Sequence, residues 1–138
     1  MSIVVTRDTT RRMRHVVTIG AHSFAVDEPE ANGGEDTGPT PHDIYDSALG
    51  ACKALTTLWY ARRKQIPLDD IRVDVERDDS LERQGTYRLA VTMALGGALS
   101  DEQRQELLRV ASKCPVHRLM TQVTTEISTE LVPVPELP

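Results

Sequence analysis

Side chains suited to one face of a strand recur at every second position in three places. These are Ile71, Val73 and Val75; Tyr87, Leu89, Val91, Met93 and Leu95; and Val123, Thr125, Ile127, Thr129 and Leu131. A period of two sends alternate side chains to opposite faces, so each stretch predicts a strand with one buried face. Weaker candidates lie at residues 3–6, 14–19 and 23–26, the last two joined by a short turn at Gly20-Ala21, which predicts an antiparallel group. Between residues 27 and 41 the chain turns to Glu, Asn, Gly, Asp, Thr and Pro, the composition of a loop. Gly33-Gly34 within it is not followed by a phosphate-binding pattern, so these glycines read as backbone geometry.

From residue 43 to 64 the period changes. Ile44, Ala48, Ala51, Cys52, Leu55, Leu58 and Trp59 fall at helical spacing, which predicts a long helix with Cys52 on its buried face, ending near Ile66-Pro67. The small residues Ala48, Gly50 and Ala51 would let another backbone or helix approach closely. Ser100 followed by Gln103 reads as a capping box opening a second helix through Leu107, Leu108 and Ala111, which stops around Ser112. Pro115 suits the first position of a third helix, with Cys114 as its N-cap and Val116, Leu119 and Met120 as its apolar side. The tail 133–138 is expected to fray. Strands, a long helix, two strands, two helices and a final strand make an α+β chain and disfavour a parallel nucleotide-binding sheet.

The 138 residues fit a single domain, 1–138, that buries only about two thirds of its unfolded surface, so a dimer interface would add usefully to its core. Sixteen basic and 21 acidic residues give a net charge of −5 with no basic block, which argues against nucleic acid as a partner. The first residues lack a secretory apolar region, and no stretch approaches the roughly 18 apolar residues of a membrane span, so a cytoplasmic location is expected. In that compartment a permanent disulfide is disfavoured. The two cysteines then read as a transient catalytic pair, part of a metal site, or inert thiols.

A thiol at a helix N-terminus feels the positive end of the macrodipole and free N–H donors, both of which favour thiolate, and Cys114 has that position. Cys52 is mid-helix and depends on Lys53 or on an arginine from elsewhere. The plainest reading makes both thiols small core hydrophobes. Cys114 and His117, with Cys52 and His42, could supply a tetrahedral zinc set. One CxxH step is a weak signal, and His117 beside Arg118 reads equally as a solvated helix residue, so neither a metal nor an organic cofactor is expected. No Gly-x-Ser-x-Gly hydrolase signature is present.

Several segments together carry a resemblance: Ala25-Val26-Asp27-Glu28-Pro29; Gly33-Gly34-Glu35-Asp36-Thr37-Gly38-Pro39-Thr40-Pro41-His42-Asp43; Ala48-Leu49-Gly50-Ala51-Cys52; Tyr60-Ala61-Arg62-Arg63-Lys64; and Ser112-Lys113-Cys114-Pro115-Val116-His117-Arg118. Over roughly residues 14 to 131 the chain resembles the OsmC/Ohr family of osmotically inducible and organic-hydroperoxide-resistance proteins. The resemblance implies an intertwined homodimer in which antiparallel sheets wrap around central helices, with two active sites at the subunit interface. It implies a peroxidase acting on organic hydroperoxides or hydrogen peroxide. Its first cysteine, matching Cys52, becomes a sulfenic acid; its second, matching Cys114, resolves it as a disulfide; and a dithiol such as a lipoyl group restores both.

The family's assisting acidic residue matches Asp43, nine residues before Cys52, with His42 as the competing alignment. A straight helix would hold Asp43 about 13 Å and half a turn of azimuth from Cys52. The acid must then sit on a broken first turn, act through an arginine or serve the other subunit, or it merely compensates charge at the helix N-terminus. The assisting arginine is assigned to Arg14, with Arg11 and Arg12 as alternatives and a solvated strand end as the default reading of all three. Lys53 and Asp43 depart from the commonest peroxidase pattern. The alternative is therefore a family member without meaningful peroxidase activity, a binding or sulfur-handling dimer.

Overall fold

The computed structural model describes residues 2–133. In chain order the elements are β1 (Ile3–Arg7), β2 (His15–Ile19), β3 (His22–Val26), α1 (Pro41–Arg63), β4 (Asp70–Asp78), β5 (Arg88–Gly96), α2 (Asp101–Ala111) and α3 (Pro115–Thr121). β1, β2 and β3 form an antiparallel sheet in that order, turned between β2 and β3 by Gly20 in the left-handed conformation. β4 and β5 form a second antiparallel pair, in which Ile71 faces Leu95, Val73 faces Met93 and Val75 faces Val91. These are the alternating apolar positions of the sequence, and cross-strand contact on one face is what stabilises such a pair.

α1 begins at a capping box: the Asp43 N–H donates to Thr40 Oγ1, and the Thr40 N–H donates to the Asp43 carboxylate at 3.0 Å. α2 opens with the Ser100–Gln103 box, as its sequence predicts. α1 packs on β4 and on both shorter helices. The close approach expected at Gly50 is to a sheet, not to a helix: a Cβ there would lie 3.0 Å from Val75 Cγ2. The fully buried centre is made by Leu107, Thr57 and Cys114, with Leu49, Ala61 and Ala111 around it.

Two expectations are corrected. The face of α1 buried within the chain carries Asp46, Leu49, Lys53, Thr57 and Ala61, whereas Leu55 and Trp59 of the predicted apolar stripe are 68% and 59% exposed and Cys52 is half-buried. Polar groups tolerate that burial because each is hydrogen-bonded, as described below. The predicted last strand does not form within the chain. Residues 124–133 pair with no described strand, and Ile127 and Leu131 stand free at 84% and 101% exposure. Alternation makes a segment fit for a strand, but a strand needs a neighbouring edge to donate to. The fraying expected for 133–138 falls, beyond residue 133, outside the described residues.

Candidate active site

α1 and the α2–α3 junction bring the two cysteines together. Cys52 lies mid-α1, its Sγ 3.8 Å from Thr56 Oγ1 one turn on. Cys114 occupies the N-cap of α3 and is fully buried. Both thiols are free. Burial pushes the Cys114 thiol up, and hydrogen bonding to the neighbouring Cys52 side chain pushes it the same way. The backbone N–H of His117 and the charge of Lys53 pull it down and are outweighed. The helix-terminus expectation for Cys114 is thus corrected: α3 is only seven residues long, and desolvation of the anion dominates.

Lys53, the residue after Cys52, is buried, and its charge, like the Cys52 side chain, acts on Cys114. Its Nζ donates to the carbonyl oxygen of Ala111 at 2.9 Å and lies 3.0 Å from Nδ1 of His117. Ala111 ends α2, where carbonyls lack intrahelical partners and the dipole is negative, so a cation is stabilised there. Thr57, one turn further, returns its hydroxyl to the Lys53 carbonyl at 2.6 Å. His117 lines a cavity of about 460 Å³ together with Tyr45, Leu49, Tyr87, Leu89 and Met120.

A second cluster lies toward the start of α1. Arg77 of β4 donates through Nε to Asp46 at 2.5 Å and through an Nη to Asp43 at 2.8 Å, and the Tyr87 hydroxyl donates to Asp46 at 2.7 Å. The two carboxylates push Arg77 up, while burial and then Asp46 push Tyr87 up to about 12. The Thr40 N–H, with Arg77, holds Asp43 below the usual carboxylate range. α1 is unbroken from Pro41, so Asp43 meets an arginine and the helix cap, and no hydrogen bond joins it to a cysteine. His42 bonds Glu82 at 2.7 Å. Arg14 precedes β2 and lies 3.6 Å from Asp8, its buried Nε without a hydrogen-bond partner. Arg11 and Arg12 bind Glu35 and, through Arg12, the Gly34 carbonyl.

Asp46 and Arg77 escaped the sequence reading, and Tyr87 entered it only as a strand position, not as a partner of Asp46. The signal available was the stripe Asp46, Leu49, Lys53, Thr57 at helical spacing, which runs beside the more hydrophobic stripe and was masked by it. The zinc set does not assemble. His117 faces the Lys53 amine, His42 faces Glu82, and among the described residues no three His, Cys, Asp or Glu side chains cluster as metal ligands.

The sequence profile described as OsmC-like protein matches residues 33–130. No curated protein sequence matches the chain. Among solved structures, an OsmC-like protein from Mycoplasma pneumoniae superposes with a TM-score of 0.71 at 19% identity, covering 88% of this chain and 87% of that one. An organic hydroperoxide resistance protein, OsmC, from Legionella pneumophila superposes at 0.62 with 19% identity, covering 88% and 90%. The organic hydroperoxide resistance protein OhrB of Bacillus subtilis gives 0.58 with 24% identity, covering 88% and 92%. At these identities the structural likeness shows the fold, and the profile match covers most of the chain. The chain belongs to the OsmC-like protein family.

Proposed function

We propose that the protein is a cytoplasmic, single-domain, cysteine-based peroxidase that reduces organic hydroperoxides or hydrogen peroxide. Cys52 attacks the peroxide and becomes a sulfenic acid; Cys114 condenses with it, releasing water and forming a disulfide; a dithiol such as a lipoyl group then restores both thiols. The observation that carries this reading is the adjacency of two free thiols of unequal character, Cys114 buried and held toward its protonated form with Cys52 beside it. A protonated resolving thiol leaves the first attack to Cys52 and supplies a proton when the sulfenic hydroxyl departs. The hydroperoxide-resistance names of structural neighbours point the same way.

The working unit is an intertwined homodimer. Three exposed apolar surfaces support this: β1 with Ile3, Val4 and Val5 open, the α1 stripe with Leu55 and Trp59, and the extended segment carrying Ile127 and Leu131. The β1–β2–β3 sheet has no substantial packing against any other element of its own chain, and a second copy offers both a face and an edge for these surfaces. In that dimer, Asp43 acts through Arg77, and Arg14 is supplied to the site of the partner.

The second reading is an OsmC-like dimer without significant peroxidase activity, a binding or sulfur-handling protein. It is favoured by Asp43 being held by Thr40 and Arg77 and Arg14 by Asp8, with no bond from either to a cysteine. A saturable peroxide-consumption assay with a lipoyl dithiol separates the two. Turnover that saturates in peroxide supports the peroxidase, and a rate equal to the uncatalysed thiol reaction supports the alternative.

A further inference from the structure

Lys53 and His117 are a buried lysine and a cavity-lining histidine in direct contact, and the two-cysteine cycle uses neither. An ammonium has donors only, so at 3.0 Å it makes Nδ1 of His117 the acceptor. A neutral imidazole that accepts at Nδ1 carries its proton on Nε2. A second ammonium proton is committed to the Ala111 carbonyl, which fixes the position of Nζ and hence the ring. Besides His117 the cavity is lined by Tyr45, Tyr87, Leu49, Leu89 and Met120, with Thr121 adding a hydroxyl. Leu49, part of that lining, stands three residues before Cys52 on the same helix, one turn away.

We propose that Lys53 and His117 form a proton relay in which Lys53 positions His117 as an Nε2–H donor, and His117 protonates the leaving oxygen of an alkyl hydroperoxide held against the cavity. This rests on the peroxidase reading above. The Cys52 thiolate attacks the terminal oxygen of RO–OH, forming the S–O bond of the sulfenic acid as the O–O bond breaks and its electron pair departs on RO⁻. The Nε2 proton of His117 passes to RO⁻ to give the alcohol, and an Nζ proton of Lys53 passes to Nδ1. The imidazole ends neutral, with its proton on the other nitrogen, and the Lys53 amine regains from solvent the equivalent of the proton that Cys52 gave up. The net reaction converts a thiol and a hydroperoxide into a sulfenic acid and an alcohol.

A relay of this kind matters only when the leaving group is a strong base. The test is single-turnover oxidation of Cys52 in the full-length chain, with tert-butyl hydroperoxide and with a perbenzoic acid, whose carboxylate leaves without needing a proton. His117→Phe is expected to slow the alkyl hydroperoxide on the order of 100-fold, within the range of general-acid catalysis, and the peracid far less. Lys53→Met should follow the same pattern, and Lys53→Arg, which keeps donors only, should restore part of the alkyl rate. Nitrogen-15 NMR of the unmodified chain should report Nδ1 unprotonated and Nε2 protonated, with this preference lost in Lys53→Met. Equal slowing of both oxidants by His117→Phe, no slowing at all, or a protonated Nδ1 overturns the relay. If the unmodified chain oxidises with neither reagent, the peroxidase reading falls and the relay with it, an outcome that differs from a reactive chain indifferent to His117.

Discussion

Arg77 and Asp46 form an ion pair 2.5 Å long between the sheet and the long helix, with the Asp46 side chain only 10% exposed. The pair is satisfied beyond its two members, because Tyr87 donates to the other oxygen of Asp46 and Asp43 accepts from Arg77. Removing Asp46 would leave the Arg77 charge half-buried and the Tyr87 hydroxyl without its acceptor. We expect Asp46→Ala to destabilise the chain by about 1–3 kcal/mol, solvent screening at Arg77 keeping it toward the low end. Chemical denaturation gives the number, and a midpoint unchanged from the unmodified chain would show that α1 and β4 need no polar clamp.

The two cysteines should separate by role. Cys52→Ser is expected to reduce peroxide consumption to background, whereas Cys114→Ser should take up peroxide for one round and then advance to sulfinic acid. Mass spectrometry after graded peroxide reads both outcomes. In the oxidised unmodified chain a Cys52–Cys114 disulfide is expected, with Cα atoms within about 7 Å. Reversal of the two variants' phenotypes would mean that Cys114 attacks first despite its burial.

Association rests on apolar surface that one chain leaves open. Light scattering should give twice the chain mass at micromolar concentration. Leu55→Asp combined with Trp59→Asp should shift that mass toward the monomer, because two charges would be buried in the proposed interface without partners. A monomeric unmodified chain, or a dimer indifferent to both substitutions, removes α1 from the interface.

Acid should act on the loop before α1 through Asp27. Its carboxylate accepts from the Thr37 hydroxyl and from the N–H groups of Thr37, Glu28 and Glu35, and the Thr37 contacts contribute most to holding it far below the usual carboxylate range. Because the folded-state value is depressed, the stabilisation is fully present above the unfolded value of about 3.9 and is lost as pH falls through the folded one. The Thr37 amide should therefore keep its NMR position well below pH 4 in the unmodified chain. Asp27→Asn should show an altered Thr37 shift already at neutral pH, and titration of the unmodified signal near pH 4 would contradict the bonding pattern.

Local order in this protein is written in the sequence because its causes are local. Thr40 with Asp43 and Ser100 with Gln103 open their helices by contacts three residues apart, and the β4–β5 pairing follows from alternation in two adjacent stretches. The family, too, was legible in the two cysteine motifs and the loop ahead of them, and the OsmC-like profile agrees. What tertiary structure alone decided is which stripe of α1 turns inward. Hydrophobicity favoured Leu55 and Trp59, but α2 and α3 present a helix C-terminus and an imidazole that suit Lys53, and β4 and the residue just before β5 present Arg77 and Tyr87 to Asp46. The residues from 123 to 131 mark the same limit from the other side: a period of two makes them ready to pair, while the existence of an edge to pair with depends on distant backbone that no local pattern specifies. Helix caps and strand periods act over a few residues, whereas the partner of a buried charge is chosen by packing between elements far apart in the chain, and that is why Lys53 meets His117 only in the folded molecule.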